Sequence, residues 1–263
     1  MRALVETVRV DGHCVRLRTV APAGRLHDAF APTVVLVHGI GMSHRSFRRL
    51  QAALSRSHRT VAVDLPGFGG VPYSGRRFEA HEYADLVVRA VTERGAGDLV
   101  VVGQSMGTQV AVEAGLRHTD VVSSVVLIGP VVDDDHRRSL VRLATALAVD
   151  CTFEGVRMNA VVLTDYLRSA AQYLRELRPM RDYRMLDRVR ALTVPVLVLR
   201  GEQDPIAKHD WGQRVVGAAS RGALVELPGG HHVQERQPVA VARLIEEFRR
   251  VQTLEASRDE VPQ

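Results

Sequence analysis

The sequence predicts an α/β fold: a mostly parallel, doubly wound central sheet flanked by helices, with a helical cap inserted late in the chain. Three observations predict it. Apolar runs of strand length, TVVLV at 33–37, LVVV at 99–102, VVSSVVLI at 121–128 and VPVLVL at 194–199, have the composition of strands buried on both faces of a parallel sheet. Segments with apolar residues at helical spacing lie between the first three, and such alternation implies short right-handed crossovers. The alternation stops between about Val131 and Ala191, so residues 1–130 and 191–263 are assigned to the α/β core and 131–190 to the inserted cap.

Taken in order, LVETVRV (4–10) and CVRLRTV (14–20) alternate apolar and polar side chains around Asp11-Gly12, the pattern of an antiparallel hairpin at a sheet edge. TVVLV runs straight into His38-Gly39-Ile40-Gly41, a loop whose backbone N–H groups are free to point at a ligand. Ser43 to Ser55 follows as a helix with Phe47, Leu50 and Leu54 on one face, then a strand at 60–63 closed by the turn Asp64-Leu65-Pro66-Gly67-Phe68-Gly69. Tyr83, Leu86, Val87, Ala90 and Val91 place a helix within 78–94. The cap shows two helical patterns: Leu140, Leu143, Ala144 and Leu147, then Leu163, Leu167, Ala170, Leu174 and Leu177. After VPVLVL come a helix near 208–217, a strand at 223–227, the loop Pro228-Gly229-Gly230-His231-His232 and a helix from Pro238 to about Val251, with 255–263 as a frayed polar tail.

A chain of 263 residues with 46% hydrophobic content suits a large globular core and is not that of a disordered protein. The opening residues lack the apolar core of a signal peptide, and no run is long enough to span a bilayer, so a cytoplasmic protein with no membrane partner is expected. Cys14 and Cys151 match neither a metal-ligand nor a redox spacing and read as free thiols. The charge of +5 and pI near 9.7 come from scattered arginines, Lys208 being the only lysine, and no basic run is interleaved with aromatics. Nucleic acid is therefore not an expected partner.

The chemistry centres on residues 99–117, LVVVGQSMGTQVAVEAGLR, where an apolar strand meets a helix through Gly103-Gln104-Ser105-Met106-Gly107. In this G-x-S-x-G form a sharp bend pushes a serine hydroxyl out at the C-terminal edge of a sheet, and the helix N-terminus behind it favours a developing anion. A serine hydroxyl is a poor nucleophile without a base in hydrogen-bond reach and a third group to fix that base's tautomer. Asp204 lies at the end of VPVLVLRGEQD, and His231 or His232 lies in the loop after ALVELPGG. Parallel strands open their carboxyl ends on one edge, so these groups can converge, in the order Ser, Asp, His that this elbow calls for.

From Thr33 to Val251 the chain resembles the α/β-hydrolase fold superfamily, on five motifs in correct order: VLVHGIG, DLPGFG, GQSMG, VPVLVLRGEQDPI and LPGGHHVQERQP. The resemblance implies a serine hydrolase with a helical cap, with Ser105 as nucleophile, Asp204 as the acid, a histidine as general base, and the backbone N–H groups of Ile40 and Met106 as the oxyanion hole. His231 precedes Pro238 by seven residues, the family's common spacing, whereas counting from Pro228 favours His232. His231 is the preferred base and His232 the alternate. Serine at position 105 speaks against haloalkane dehalogenation and epoxide opening, for which an aspartate would be expected. Gly70-Val71 departs from the small polar pair that usually follows DLPGFG.

The expected function is cleavage of a carboxylic ester, or a related acyl compound, through an acyl-enzyme intermediate. That mechanism requires no metal or organic cofactor. The expected partner is a small-molecule substrate, and cap residues such as Leu140, Leu143 and Val162 suggest a hydrophobic acyl or alcohol group. A C–C bond hydrolase or cofactor-free perhydrolase uses the same triad, and a ligand-binding protein that retains the fold is the non-enzymatic alternative. Other polar residues carry plainer readings. Asp133, Asp134 and Asp135 read as a solvated charge run, His38 as a brace for its loop, Ser43 as a helix cap, Arg157, Arg168 and Arg175 as a solvated helix face, and Tyr166 and Tyr173 as packing. Substrate identity and oligomeric state have no readable code.

Overall fold

The computed structural model describes residues 3–24, 32–131, 133 and 139–259, with backbone only for Leu140, Thr253 and 255–259. The strands β1 (Leu4–Val10), β2 (His13–Val20), β3 (Thr33–Val37), β4 (Arg59–Asp64), β5 (Leu99–Gln104), β6 (Val122–Ile128), β7 (Val196–Gly201) and β8 (Gly222–Leu227) form one sheet of order β1-β2-β4-β3-β5-β6-β7-β8. Only β2 runs against the others: it pairs antiparallel with β1 and β4, and all later pairings are parallel. The unbroken apolar runs are explained by burial on both faces, since β3 and β5 are buried at every position.

Alternate residues of each strand serve two cores, as the pleat requires. Val35, Val37, Val101, Leu127 and Val198 face α2 (Ala80–Thr92) and α3 (Met106–Arg117). Val34, Leu36, Val102, Val126 and Leu199 face α1 (Arg48–Leu54) on the opposite side, together with the C-terminal helix. The helix expected over 43–55 divides into a 3-10 turn at His44–Phe47 and α1, and Phe47, Leu50 and Leu54 are all fully buried.

Between β6 and β7 lie α4 (Leu140–Phe153), α5 (Val156–Asp182) and α6 (Met185–Arg190); α7 (His209–Ala218), α8 (Val233–Arg236) and α9 (Pro238–Asp259) complete the chain. The expected tail is corrected here: α9 carries on over 255–259, because nothing after Pro238 in that stretch breaks a helix. Residues 260–263 lie outside the described residues. No helix among the described residues is long and apolar enough to cross a membrane.

The periodicity of α5 identified a helix but not its buried side. Leu163, Leu167 and Leu174 are 61%, 73% and 70% exposed, and the buried positions are Met158, Val161, Asp165, Ser169, Gln172, Glu176 and Met180. The reason lies in what α5 docks on: the polar backbone of the loops after β3 and β4, not the apolar sheet. Ser43 Oγ donates to Asp165 Oδ2 at 2.6 Å and Arg45 Nη1 to Asp165 Oδ1 at 2.7 Å. α5 bends at Ser169 (φ −116°, ψ 16°), whose hydroxyl lies 2.9 Å from Gly41 O and 2.7 Å from Asp165 O. α6 packs instead on α3 and α7, where Arg188 grips Glu113 with two bonds of 2.7 Å.

Farther along α5, Glu176 accepts the Phe78 N–H at 3.1 Å and an N–H from Gln172 at 2.5 Å. Burial pushes its carboxyl up to about 7. A carboxyl raised in the folded state above its unfolded value of 4.5 disfavours folding once ionised. Its stability contribution is therefore fully present below about pH 4.5 and falls as pH rises towards about 7. Glu176→Gln, which keeps an acceptor and cannot ionise, is expected to be stabilised relative to the parent at pH 8 by up to about 3 kcal/mol, or about 6–12 °C in Tm. The gain should vanish at pH 4.5 in paired thermal melts.

Candidate active site

Ser105 sits between β5 and α3 at φ 55° and ψ −122°, a backbone region that non-glycine residues occupy only under constraint. Its N–H donates to Ile128 O at 3.0 Å, and its carbonyl accepts the Thr108 N–H at 2.9 Å and the Thr108 hydroxyl at 2.6 Å. The flanking glycines are steric requirements. A Cβ on Gly107 would lie 2.2 Å from Val37 O, and one on Gly103 would lie 2.0 Å from Gly107 O.

The loop after β3 flanks this elbow, for a Cβ on Gly39 would lie 2.9 Å from Ser105 Cβ. Met106 opens α3, so its N–H has no acceptor within the helix. The Ile40 N–H donates to no acceptor among the described residues. His38 holds the loop: its Nδ1–H donates to Gly39 O at 2.8 Å while Nε2 accepts the Leu65 N–H at 3.2 Å. That arrangement requires the neutral ring, and burial keeps the His38 pKa below the usual imidazole value despite the nearby Asp64. Ser43 caps the following turn by accepting the Arg45 N–H at 3.3 Å.

Asp204, at the end of β7, and His231, after β8, form a buried pair. Asp204 Oδ1 accepts the N–H groups of Ile206 at 2.8 Å and Ala207 at 2.9 Å, leaving Oδ2 for His231 Nδ1–H at 2.8 Å. In the neutral ring this bond places the imidazole proton on Nδ1 and leaves Nε2 bare. Nε2 is buried and has no hydrogen-bond partner among the described residues, Ser105 Oγ included. The pair lies beside the elbow: a Cβ on Gly129, next to Ile128, would sit 2.8 Å from His231 Nδ1 and 3.2 Å from Asp204 Oδ2. Burial disfavours the charged His231 ring, but the Asp204 charge and hydrogen bond outweigh it and hold the pKa above the ordinary value.

His232 faces another way. Its ring stands edge-on to His231, centroids 5.5 Å apart, and its Nδ1 lies 3.7 Å from Asp150 Oδ2 and 3.5 Å from Glu154 Oε1. Burial opposes its protonation, yet these two carboxylates push its pKa up to about 9. Asp150 and Glu154, in and just after the last turn of α4, also accept the backbone N–H groups of His231 at 2.7 Å and His232 at 2.8 Å. Sequence reasoning passed over both acids. Their i, i+4 spacing was the only signal, and their partners lie about eighty residues further on.

Other expectations meet mixed outcomes. Asp133 is buried, not solvated, and lies 3.9 Å from Lys208 Nζ, while Asp134 and Asp135 lie outside the described residues. Arg157 is half-buried and pairs with buried Glu235, while Arg168 and Arg175 are exposed, Arg175 stacking over Tyr73 at 4.7 Å. Tyr166 and Tyr173 pack at 5.0 Å, where they leave no room for a Cβ on Gly41. Leu143 joins the main core and Val162 packs with Met42, Met158 and Val161, so the two share no cluster. The Leu140 side chain lies outside the described residues. Cys14 and Cys151 are free thiols.

Residues 34–244 match the profile of the alpha/beta hydrolase family. The chain is 26% identical to a 2-(acetamidomethylene)succinate hydrolase of Mesorhizobium japonicum, over 82% of its own length and 87% of that protein's. A shorter match, 35% identical, relates 36% of the chain to 35% of a pimeloyl-[acyl-carrier protein] methyl ester esterase of Vibrio cholerae. Among solved structures, an esterase from Exiguobacterium antarcticum superposes with a TM-score of 0.79 at 16% identity, covering 93% of this chain and 99% of that one.

The elbow geometry carries its own test. Gly107→Ala must displace the backbone of β3, so a loss of about 3 kcal/mol or more in urea unfolding is expected. An alanine variant as stable as the parent would mean that the elbow is not packed this tightly.

Proposed function

The chain belongs to the alpha/beta hydrolase family, and on that premise we propose that it is a serine hydrolase that cleaves a carboxylic ester through an acyl-enzyme intermediate, with Ser105, His231 and Asp204 as its triad. The observation that carries this reading is the buried Asp204–His231 hydrogen bond, which leaves a bare imidazole nitrogen beside a strained serine elbow. The names of the Vibrio and Exiguobacterium proteins supply the ester chemistry.

In this mechanism Ser105 Oγ attacks the ester carbonyl carbon as its proton passes to His231 Nε2. Asp204 keeps the ring oriented and stabilises the imidazolium without taking the proton. The carbonyl oxygen, now negative, is received by the N–H groups of Ile40 and Met106 at the start of α3, where the helix dipole also favours it. Collapse of the intermediate expels the alcohol, which takes the proton from His231. Water then repeats the sequence on the acyl-enzyme and frees the acid. In this reading α5, docked on the loops after β3 and β4, and α4, docked on the loop after β8, act together as the cap.

A fluorophosphonate probe is expected to label one serine, with the mass shift on the peptide containing Ser105 and none in Ser105→Ala. Absence of labelling in the folded parent protein would remove the enzymatic reading of this serine. The adjacent histidines separate cleanly. His231→Ala should lower kcat/KM on a short-chain p-nitrophenyl ester by about 10³-fold or more, whereas His232→Ala should leave a far larger residual activity. The reverse result would transfer the base to His232.

A further inference from the structure

Asp150, Glu154 and His232 come together from two distant parts of the chain, and each is more than nine-tenths buried. Their candidate donor atoms all lie within 4.8 Å of one another. Asp150 Oδ1 and Glu154 Oε1 are occupied by the His231 and His232 N–H groups. What remains is Asp150 Oδ2, Glu154 Oε2 and His232 Nδ1. Of these, Glu154 Oε2 and His232 Nδ1 are buried without a hydrogen-bond partner among the described residues. Such orphans are costly away from water, a carboxylate oxygen most of all.

The spacing is informative. His232 Nδ1 stands 3.7 Å from Asp150 Oδ2, beyond hydrogen-bonding distance. Ligand atoms around a tetrahedral zinc ion with bonds of about 2.0–2.1 Å stand about 3.3–3.4 Å apart, a few tenths of an ångström from that separation. The loop is shaped to admit this cluster: a Cβ on Gly230 would lie 2.7 Å from Asp150 Oδ1 and 2.9 Å from Glu154 Oε1. Two carboxylates and one imidazole also neutralise a divalent charge, and the nitrogen donor with so few oxygens disfavours Ca²⁺ and Mg²⁺.

We propose that Asp150, Glu154 and His232 bind one divalent transition-metal ion, zinc by donor set and spacing, that ties α4 to the loop carrying His231. The ion takes no part in the ester chemistry, which His231, Asp204 and Ser105 conduct by themselves. Its role is to fix the insertion against the histidine loop, with water completing the coordination.

The test uses the full chain with any affinity tag removed. After chelation and desalting, zinc titrated by isothermal calorimetry should bind one equivalent per chain. Co²⁺ in its place should give the visible d–d bands of a tetrahedral site. Glu154→Gln and His232→Ala, checked for folding by circular dichroism, should each weaken zinc binding by about 100-fold or more. Zinc should raise the Tm of the parent and leave that of either variant unmoved. Absence of stoichiometric zinc or cobalt binding by the folded parent overturns the proposal, since the parent titration does not depend on any variant folding. So does binding that survives in His232→Ala, or Mg²⁺ binding as tight as zinc. None of these readouts measures hydrolysis, so the outcome is independent of the triad assignment.

Discussion

The structure depends on a buried hydrogen bond between a carboxylate and an imidazole. Asp204 has been removed from water at the end of β7, and an unpartnered carboxylate there would be strongly destabilising. Three donors offset that cost: two backbone N–H groups from the turn that follows, and His231. All three must arrive at fixed places. The turn N–H groups do so because Asp204 and Ala207 are only three residues apart, but His231 must come from beyond β8. The parallel β7–β8 pairing, Val196 opposite Gly222 through Gly201 opposite Leu227, brings both strand ends to the same height. The sheet is thus the means by which residues 27 apart meet at 2.8 Å.

The same edge holds the elbow, and a different force sets its distance. Backbone rather than side chain fills the contacts of α3 with the ends of β3 and β5, because Gly107 and Gly103 leave no Cβ in the way. Ser105 is held in its left-handed conformation by bonds at both ends of its peptide unit, to Ile128 and Thr108. Strain at one residue persists only when its surroundings over-determine it, and here they do. His38 adds the next link by joining the loop after β3 to the loop after β4 through one neutral ring.

The centre of the sheet was legible because β3, β5 and β7 are built on unbroken apolar runs, and Ser105 and Asp204 were legible because each follows such a run. The orientation of α5 was not. A helix that carries leucines at one spacing and Asp165, Ser169, Gln172 and Glu176 at another offers two faces, and the usual rule buries the apolar one. That rule presumes an apolar partner. α5 rests on glycine-rich loops whose carbonyls and side chains want hydrogen bonds, so the polar face was drawn inward and the leucines were left outside. Asp133 escaped for a related reason: charge runs are usually solvated, and burial beside a lysine seventy-five residues on leaves no local mark.

The two adjacent histidines show why sequence spacing alone left two answers. Successive residues in a loop can face opposite neighbours, and nothing in GGHHVQ says which neighbour each will find. His231 turns to Asp204 and His232 to Asp150 and Glu154 at the end of α4, so that one dipeptide is gripped from both sides. The backbone amides reinforce the division, since both are taken by the acids of α4. Just beyond, Glu235 meets Arg157 from α5 and Arg49 from α1 at 3.1 Å, which extends the grip to three helices. The position of the His231 ring is therefore fixed by two elements at once: the sheet edge sets where its Nδ1 points, and the end of α4 sets where its backbone sits. Any change that loosens α4 acts on the His231 backbone without touching Asp204.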